Sequence, residues 1–82
     1  MRVQLLYFAG LKDLMGTASE SLLLPDDVRT VAALQAHLSA TKPQLAERLA
    51  TCRVAVNEEF AAPDTSLEPD VDVALIPPVS GG

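Results

Sequence analysis

The chemistry in this chain concentrates in its last six residues, Pro77-Pro78-Val79-Ser80-Gly81-Gly82. Gly82 offers a carboxylate, and with no Cβ the approach to its carbonyl carbon is open. An α-carboxyl has a pKa of about 3.5, so at neutral pH it is ionised and a poor electrophile. Another protein must activate it, for example as an acyl-adenylate. A sulfur nucleophile would then produce a terminal thiocarboxylate, a sulfur donor that leaves as carboxylate and can be recharged. A lysine amine would instead produce an isopeptide link. Gly81 lets the segment thread a tight channel. Pro77 and Pro78 fix φ, lack N–H donors and bias Ile76 towards an extended backbone, so they stop the preceding strand and launch the chain outward. Six extended residues reach about 20 Å. A stiff base and a bare tip suit a narrow pocket in another protein. A frayed terminus is the plain alternative.

Elsewhere the sequence holds no catalytic constellation. Ser80 has no base in its neighbourhood, His37 stands alone, and the carboxylates show no pairing. No P-loop, G-x-G-x-x-G or metal-ligand spacing occurs; Gly10 and Gly16 flank a helix. Cys52 is the only cysteine, which excludes an intrachain disulfide. With a single histidine beside it, a four-ligand zinc site is also excluded. Lying between Leu49 and Val54, Cys52 reads as a small buried hydrophobe, with a reactive thiol as the alternative. Neither a metal nor a bound cofactor is expected.

At 82 residues the chain reads as one domain, near the size where a single core barely suffices. Six basic against eleven acidic residues give a net charge of −5, which argues against nucleic acid as a partner. No Lys or Arg follows Arg53, whereas Glu58, Glu59, Asp64, Glu68, Asp70 and Asp72 all do. That acidic half suits a basic protein partner or a cationic pocket mouth; simple solubility is the other reading. There is no transit-like segment, no signal-peptide core and no apolar run of membrane-spanning length, so a cytoplasmic location without membrane contact is expected.

The elements that must carry the tail follow from periodicity. Residues 2–8 alternate as a strand, with Val3, Leu5 and Tyr7 on one face and Gln4, Leu6 and Phe8 on the other. Ala9 to Met15 reads as a short helix with Leu11, Leu14 and Met15 on one side, ended by Gly16. Residues 19–24 form a second strand, antiparallel to the first. Thr30 caps a main helix over 31–41, with Val31, Leu34 and Leu38 as its stripe. Asp26 and Asp27 lie just upstream of its positive end. Pro43 opens a second helix that carries Leu45 and Leu49. Residues 53–57 form a third strand, Glu58-Glu59 a turn, Phe60-Ala61-Ala62 a short apolar segment, and 71–76 the last strand. The chain is therefore α+β: a mixed sheet of about five strands, one main helix across one face, and short extra helices. The first and last strands are expected as parallel neighbours at the centre. Residues 1–76 make the domain and 77–82 the tail.

Placing Val3, Leu5, Tyr7, Val54, Val56, Val73 and Leu75 under the helix leaves Gln4, Leu6, Phe8, Arg53, Ala55, Asn57, Asp72, Ala74 and Ile76 on the other face. That face begins polar at Gln4 and Asp72 and turns apolar towards Phe8 and Ile76, where the tail departs. Contiguous exposed apolar surface marks a partner site. The expected docking patch is Leu6, Phe8, Ala74 and Ile76, joined by Phe60. Alternatively, the two small helices cover this face as a second core layer.

These features together resemble the ubiquitin-like β-grasp sulfur carriers, and among them the small subunits of molybdopterin synthase. The resemblance runs through Tyr7-Phe8-Ala9, Leu11-Lys12-Asp13-Leu14-Met15-Gly16, Thr30-Val31-Ala32-Ala33-Leu34 and Val54-Ala55-Val56-Asn57. It ends on Asp72-Val73-Ala74-Leu75-Ile76 and the Pro-Pro-Val-Ser-Gly-Gly terminus, its most specific part. It implies that an adenylyltransferase resembling ubiquitin-activating enzymes uses ATP to adenylate Gly82. A sulfur-donating enzyme then converts Gly82 to 1-thioglycine. The resemblance further implies insertion of the tail into a large subunit, within a heterotetramer, and sulfur donation to cyclic pyranopterin monophosphate for molybdenum cofactor. The chain would be the sulfur-donating subunit of that synthase and not catalytic alone. Family interface positions fall on Phe8, Phe60 and Ile76; at Ile76 an aromatic is common, so the docking anchor departs from the pattern. Three alternatives remain: a thiamin-type sulfur carrier, a ubiquitin-like modifier of lysines, and an interaction domain whose tail is incidental.

Overall fold

The structure, a computed structural model, describes residues 1–78. Its elements are β1 (Arg2–Tyr7), α1 (Gly10–Met15), β2 (Ser19–Leu23), α2 (Val31–Thr41), α3 (Pro43–Leu49), β3 (Arg53–Val56), β4 (Glu59–Phe60) and β5 (Asp72–Ile76). They build one five-stranded sheet in the order β2-β1-β5-β3-β4. β1 and β5 are parallel at its centre, and every other pairing is antiparallel. This is the ubiquitin-like β-grasp arrangement.

Local chemistry sets the helix limits. The Thr30 hydroxyl accepts the Ala33 N–H at 3.2 Å, satisfying one of the free donors at the start of α2. Pro43 occupies the first turn of α3, where its missing N–H costs nothing. Gly16 ends α1 with φ 73, a left-handed conformation that a side chain would disfavour. All three helices feed one core. Leu11, Val31, Leu34, Leu38, Leu45 and Leu49 pack with Val3, Leu5, Tyr7, Val54, Val73 and Leu75, and Val56 packs against that cluster half-buried. The small helices therefore do not form a second layer on the other side. The α2 end is tied to β2 by the Lys42–Glu20 ion pair at 2.9 Å.

Three expectations need correction. Leu14 is exposed rather than packed, because the single short turn of α1 turns only Leu11 fully inward. The first helix also begins one residue later than expected; Ala9 precedes it with φ 49, a left-handed turn that separates Phe8 from the helix. The β3–β4 turn is Asn57-Glu58, not Glu58-Glu59. Both residues are left-handed, with φ 50 and 72, as a tight two-residue hairpin requires. Phe60 consequently opposes Ala55 instead of Asn57. Moving a turn by one residue moves the partner by two, so Phe60 stays on the face expected for it.

Candidate functional site

The sheet face away from the helices is organised in rows that run across the strands. Ser19 pairs with Leu6, Leu6 with Ala74, Ala74 with Ala55, and Ala55 with Phe60. Directly paired residues share a face. This row thus places two methyl groups on the central strands between two large side chains. The result is a groove of about 230 Å³ lined by Leu6, Phe8, Ala55, Glu58, Phe60, Asp72, Ala74 and Ile76. Ala74 and Ala55 form its floor and are themselves buried, although neither belongs to the helix-side core. Phe8 and Phe60 rise from its sides, 47% and 61% exposed. One row towards the tail, Ile76 pairs with Arg53. One row away from it lie Gln4 and Asp72, and the Asp72 N–H donates to the Asn57 side chain at 3.1 Å. Along β1 and β5 the face therefore turns from polar Gln4 and Asp72 to apolar Phe8 and Ile76 towards the tail, while on β3 the charged Arg53 stands in the tail-side row.

All five residues expected in the patch, Leu6, Phe8, Phe60, Ala74 and Ile76, meet around this one groove. Ala74 contributes as floor rather than as exposed surface. Ile76 is half-buried at the end of β5; Pro77 is half-buried and Pro78 exposed immediately beyond it. Val79, Ser80, Gly81 and Gly82 lie outside the described residues. The sequence reading assigned Ala55 and Asp72 to this face but not to the patch, and it put Glu58 in a turn. The row of paired small residues was the signal that could have found Ala55. A second hollow flanks Phe8 on its other side, lined by Leu6, Tyr7, Ala9, Lys12, Ala18 and Ser19.

Among the described residues the other reactive side chains do not form a site. Cys52 is half-buried against the core, and burial pushes its thiol up against the opposing pull of Arg48, so it remains protonated at neutral pH. Tyr7 is 2% exposed, and its hydroxyl makes no hydrogen bond among the described residues. Burial, and then the nearby Glu20 carboxylate, push its pKa far up. His37 is half-buried on α2. Among the described residues no group of His, Cys, Asp and Glu could hold a metal ion, and no helix is long and apolar enough to cross a membrane.

Comparison with known families gives a match to the ThiS family over residues 5–82. The chain belongs to the ThiS family. Over 84 residues it is 34% identical to the molybdopterin synthase sulfur carrier subunit of Chlamydomonas reinhardtii, covering 100% of both chains. In structure it resembles SAMP1 of Haloferax volcanii, a small archaeal modifier protein, with a TM-score of 0.83, 27% identity and 100% coverage of both chains. It also resembles a chain from a complex of subunits 1 and 2 of the molybdopterin-converting factor of Helicobacter pylori. There the TM-score is 0.73, the identity 26% and the coverage 100% of both chains. These likenesses span the whole chain.

Proposed function

We propose that this chain is the sulfur-carrier subunit of a molybdopterin synthase, acting in the cytoplasm. The observation that carries the reading is an apolar groove at the base of a Pro-Pro-Val-Ser-Gly-Gly tail, in a ThiS-family chain whose relatives bear that name. The large subunit seats on Leu6, Phe8, Phe60, Ala74 and Ile76. Pro77 and Pro78 direct Val79, Ser80, Gly81 and Gly82 into its active site, and two copies of each subunit form a heterotetramer.

In the proposed cycle Gly82 is the terminal residue. An adenylyltransferase joins its carboxylate to the α-phosphorus of ATP and releases pyrophosphate. Sulfide released by a donor enzyme displaces AMP from the acyl-adenylate and leaves 1-thioglycine. In the large subunit the thiocarboxylate sulfur bonds to a carbon of cyclic pyranopterin monophosphate as a C–O bond at that carbon breaks, its oxygen taking the electron pair and a proton. Water then cleaves the acyl–sulfur bond, which leaves sulfur on the pterin and the carboxylate on Gly82. The carrier supplies no acid or base of its own; its domain delivers and aims the tail.

The test is a reconstituted pterin sulfuration assay with the chain extended by one alanine after Gly82. Blocking that carboxyl should abolish sulfur transfer while leaving large-subunit binding within about twofold, since the groove is untouched. Sulfuration at the native rate would sink the proposal. In cells able to make molybdenum cofactor, intact mass should reveal a species with one oxygen exchanged for sulfur at Gly82. A second reading, a lysine modifier, draws on the likeness to the Haloferax modifier protein. Gly-Gly remnants on lysines of other proteins, dependent on this chain, would favour it. A thiamin-type carrier is the further alternative; transfer to a thiazole precursor and not to the pterin would select it.

A further inference from the structure

Phe60 is the large side chain of the open face with the least backbone to hold it. β4 is two residues long and pairs on one side only, with β3. The ring is the shared wall of two hollows: the docking groove, and a second one lined by Val31, Cys52, Arg53 and Pro63 among others. A ring so poorly surrounded samples several rotamers, and ordering it on binding costs conformational entropy. Arg53 alters this. Its Cζ lies 3.8 Å from the Phe60 ring centroid, well inside the range of a cation–π contact. The hairpin creates the contact. Phe60 opposes Ala55, and Arg53 is the next residue along β3 on the same face. Arg53 forms no ion pair among the described residues. It also pairs with Ile76, which places it in the row at the base of the tail.

We propose that Arg53 is a positioning residue for docking: its planar guanidinium clamps Phe60 in the orientation that the partner meets. It acts through Phe60 and not by pairing with a carboxylate of the partner. The inference rests on the reading of the groove as the seat of the large subunit. It adds a cation to a patch otherwise described as apolar, and gives that cation an intramolecular task.

The experiment uses the full chain and the large subunit of the same organism. Arg53→Lys and Arg53→Gln are each made alone and combined with Phe60→Ala. The Phe60 ring resonances are followed in the free protein, and affinity is measured by titration calorimetry. Both Arg53 variants should weaken binding about two- to fivefold, the range of an exposed cation–π contact. Lysine should not rescue, because an ammonium lacks the flat surface that covers the ring. The loss should vanish in the Phe60→Ala background, since the two residues act as a unit. The ring resonances should shift towards averaged values while the melting temperature stays unchanged, which separates clamping from general stability.

Rescue by lysine together with a loss that persists in Phe60→Ala would assign Arg53 to a partner carboxylate and overturn the proposal. Unchanged ring resonances, or tighter binding by the variants, would overturn it as well. If the unmodified chain fails to bind the large subunit, the docking reading falls and the docking role of Arg53 falls with it. The ring resonances still decide, separately, whether Arg53 holds Phe60.

Discussion

Tyr7 and Phe8 are neighbours in the chain and opposites in environment, 2% and 47% exposed. A strand sends successive side chains to opposite faces, so one step along the backbone crosses from a closed face to an open one. On the closed face, three helices cover Val3, Leu5, Tyr7, Val54, Val73 and Leu75. On the open face no element covers Leu6, Phe8, Phe60 or Ile76 among the described residues, and the central alanines leave a groove between them. The first face holds the domain together. The second leaves Phe8 and Phe60 exposed beside the groove. The contrast teaches that in a domain this small one layer of apolar side chains suffices for folding, so a second apolar layer calls for another explanation.

The contrast can be broken hardest at Leu5, which is fully buried. Leu5→Ala should cost about 3 kcal/mol in chemical denaturation, the usual price of a core cavity. The folded fraction should keep its affinity for the large subunit. A loss below about 1 kcal/mol would mean that the helix-covered face is not the main source of stability. Phe8→Ala should do the reverse. Binding to the large subunit should weaken by about 2 kcal/mol if Phe8 is a hot spot, while stability changes by less than about 1 kcal/mol. A large stability loss with intact affinity would assign Phe8 to the core and erase the distinction between the faces.

Tyr7→Phe probes the closed face more gently. The buried hydroxyl has no hydrogen-bond partner among the described residues, so its removal should leave stability unchanged or raise it by up to about 1 kcal/mol. The pH dependence has a definite sign. Burial, and then Glu20, raise the folded-state pKa, while the unfolded phenol ionises near pH 10. The stability associated with this group is complete below about pH 10 and is lost as pH rises towards the folded value. Urea titrations at about pH 8 and about pH 11 should therefore show a smaller alkaline loss for Tyr7→Phe than for the native chain. Cys52, also raised by burial, should keep part of that loss in place. Equal alkaline losses in the two proteins would exclude Tyr7 as its source.

Much of this architecture was legible because its causes are local. Thr30 before an apolar stripe, Pro43 after Lys42 and Gly16 after Met15 mark helix limits through their own backbone chemistry. Alternation assigned each strand residue to a face without knowledge of the neighbours. That is why the five patch residues come out around one groove, and why Phe60 kept its face although the turn was placed one residue too late. Ala9 was less legible. Nothing in an alanine announces a left-handed φ, a conformation that the surrounding chain must impose. The exposure of Leu14 was hidden for a similar reason, since a six-residue helix leaves the sheet to decide which of its apolar positions is covered.

By itself the sequence determined the order of the elements, the two sets of side chains and the position of the tail just after the last strand. Each depends on spacing along one chain. Tertiary structure alone decided how deep the groove is, which small residues floor it and that Arg53 lies on Phe60. Those facts depend on register between strands, where Leu6, Ala74, Ala55 and Phe60 meet from four separate segments. Hydrogen-bonded pairing across the sheet sets that register, and a one-residue change in a turn is enough to move it.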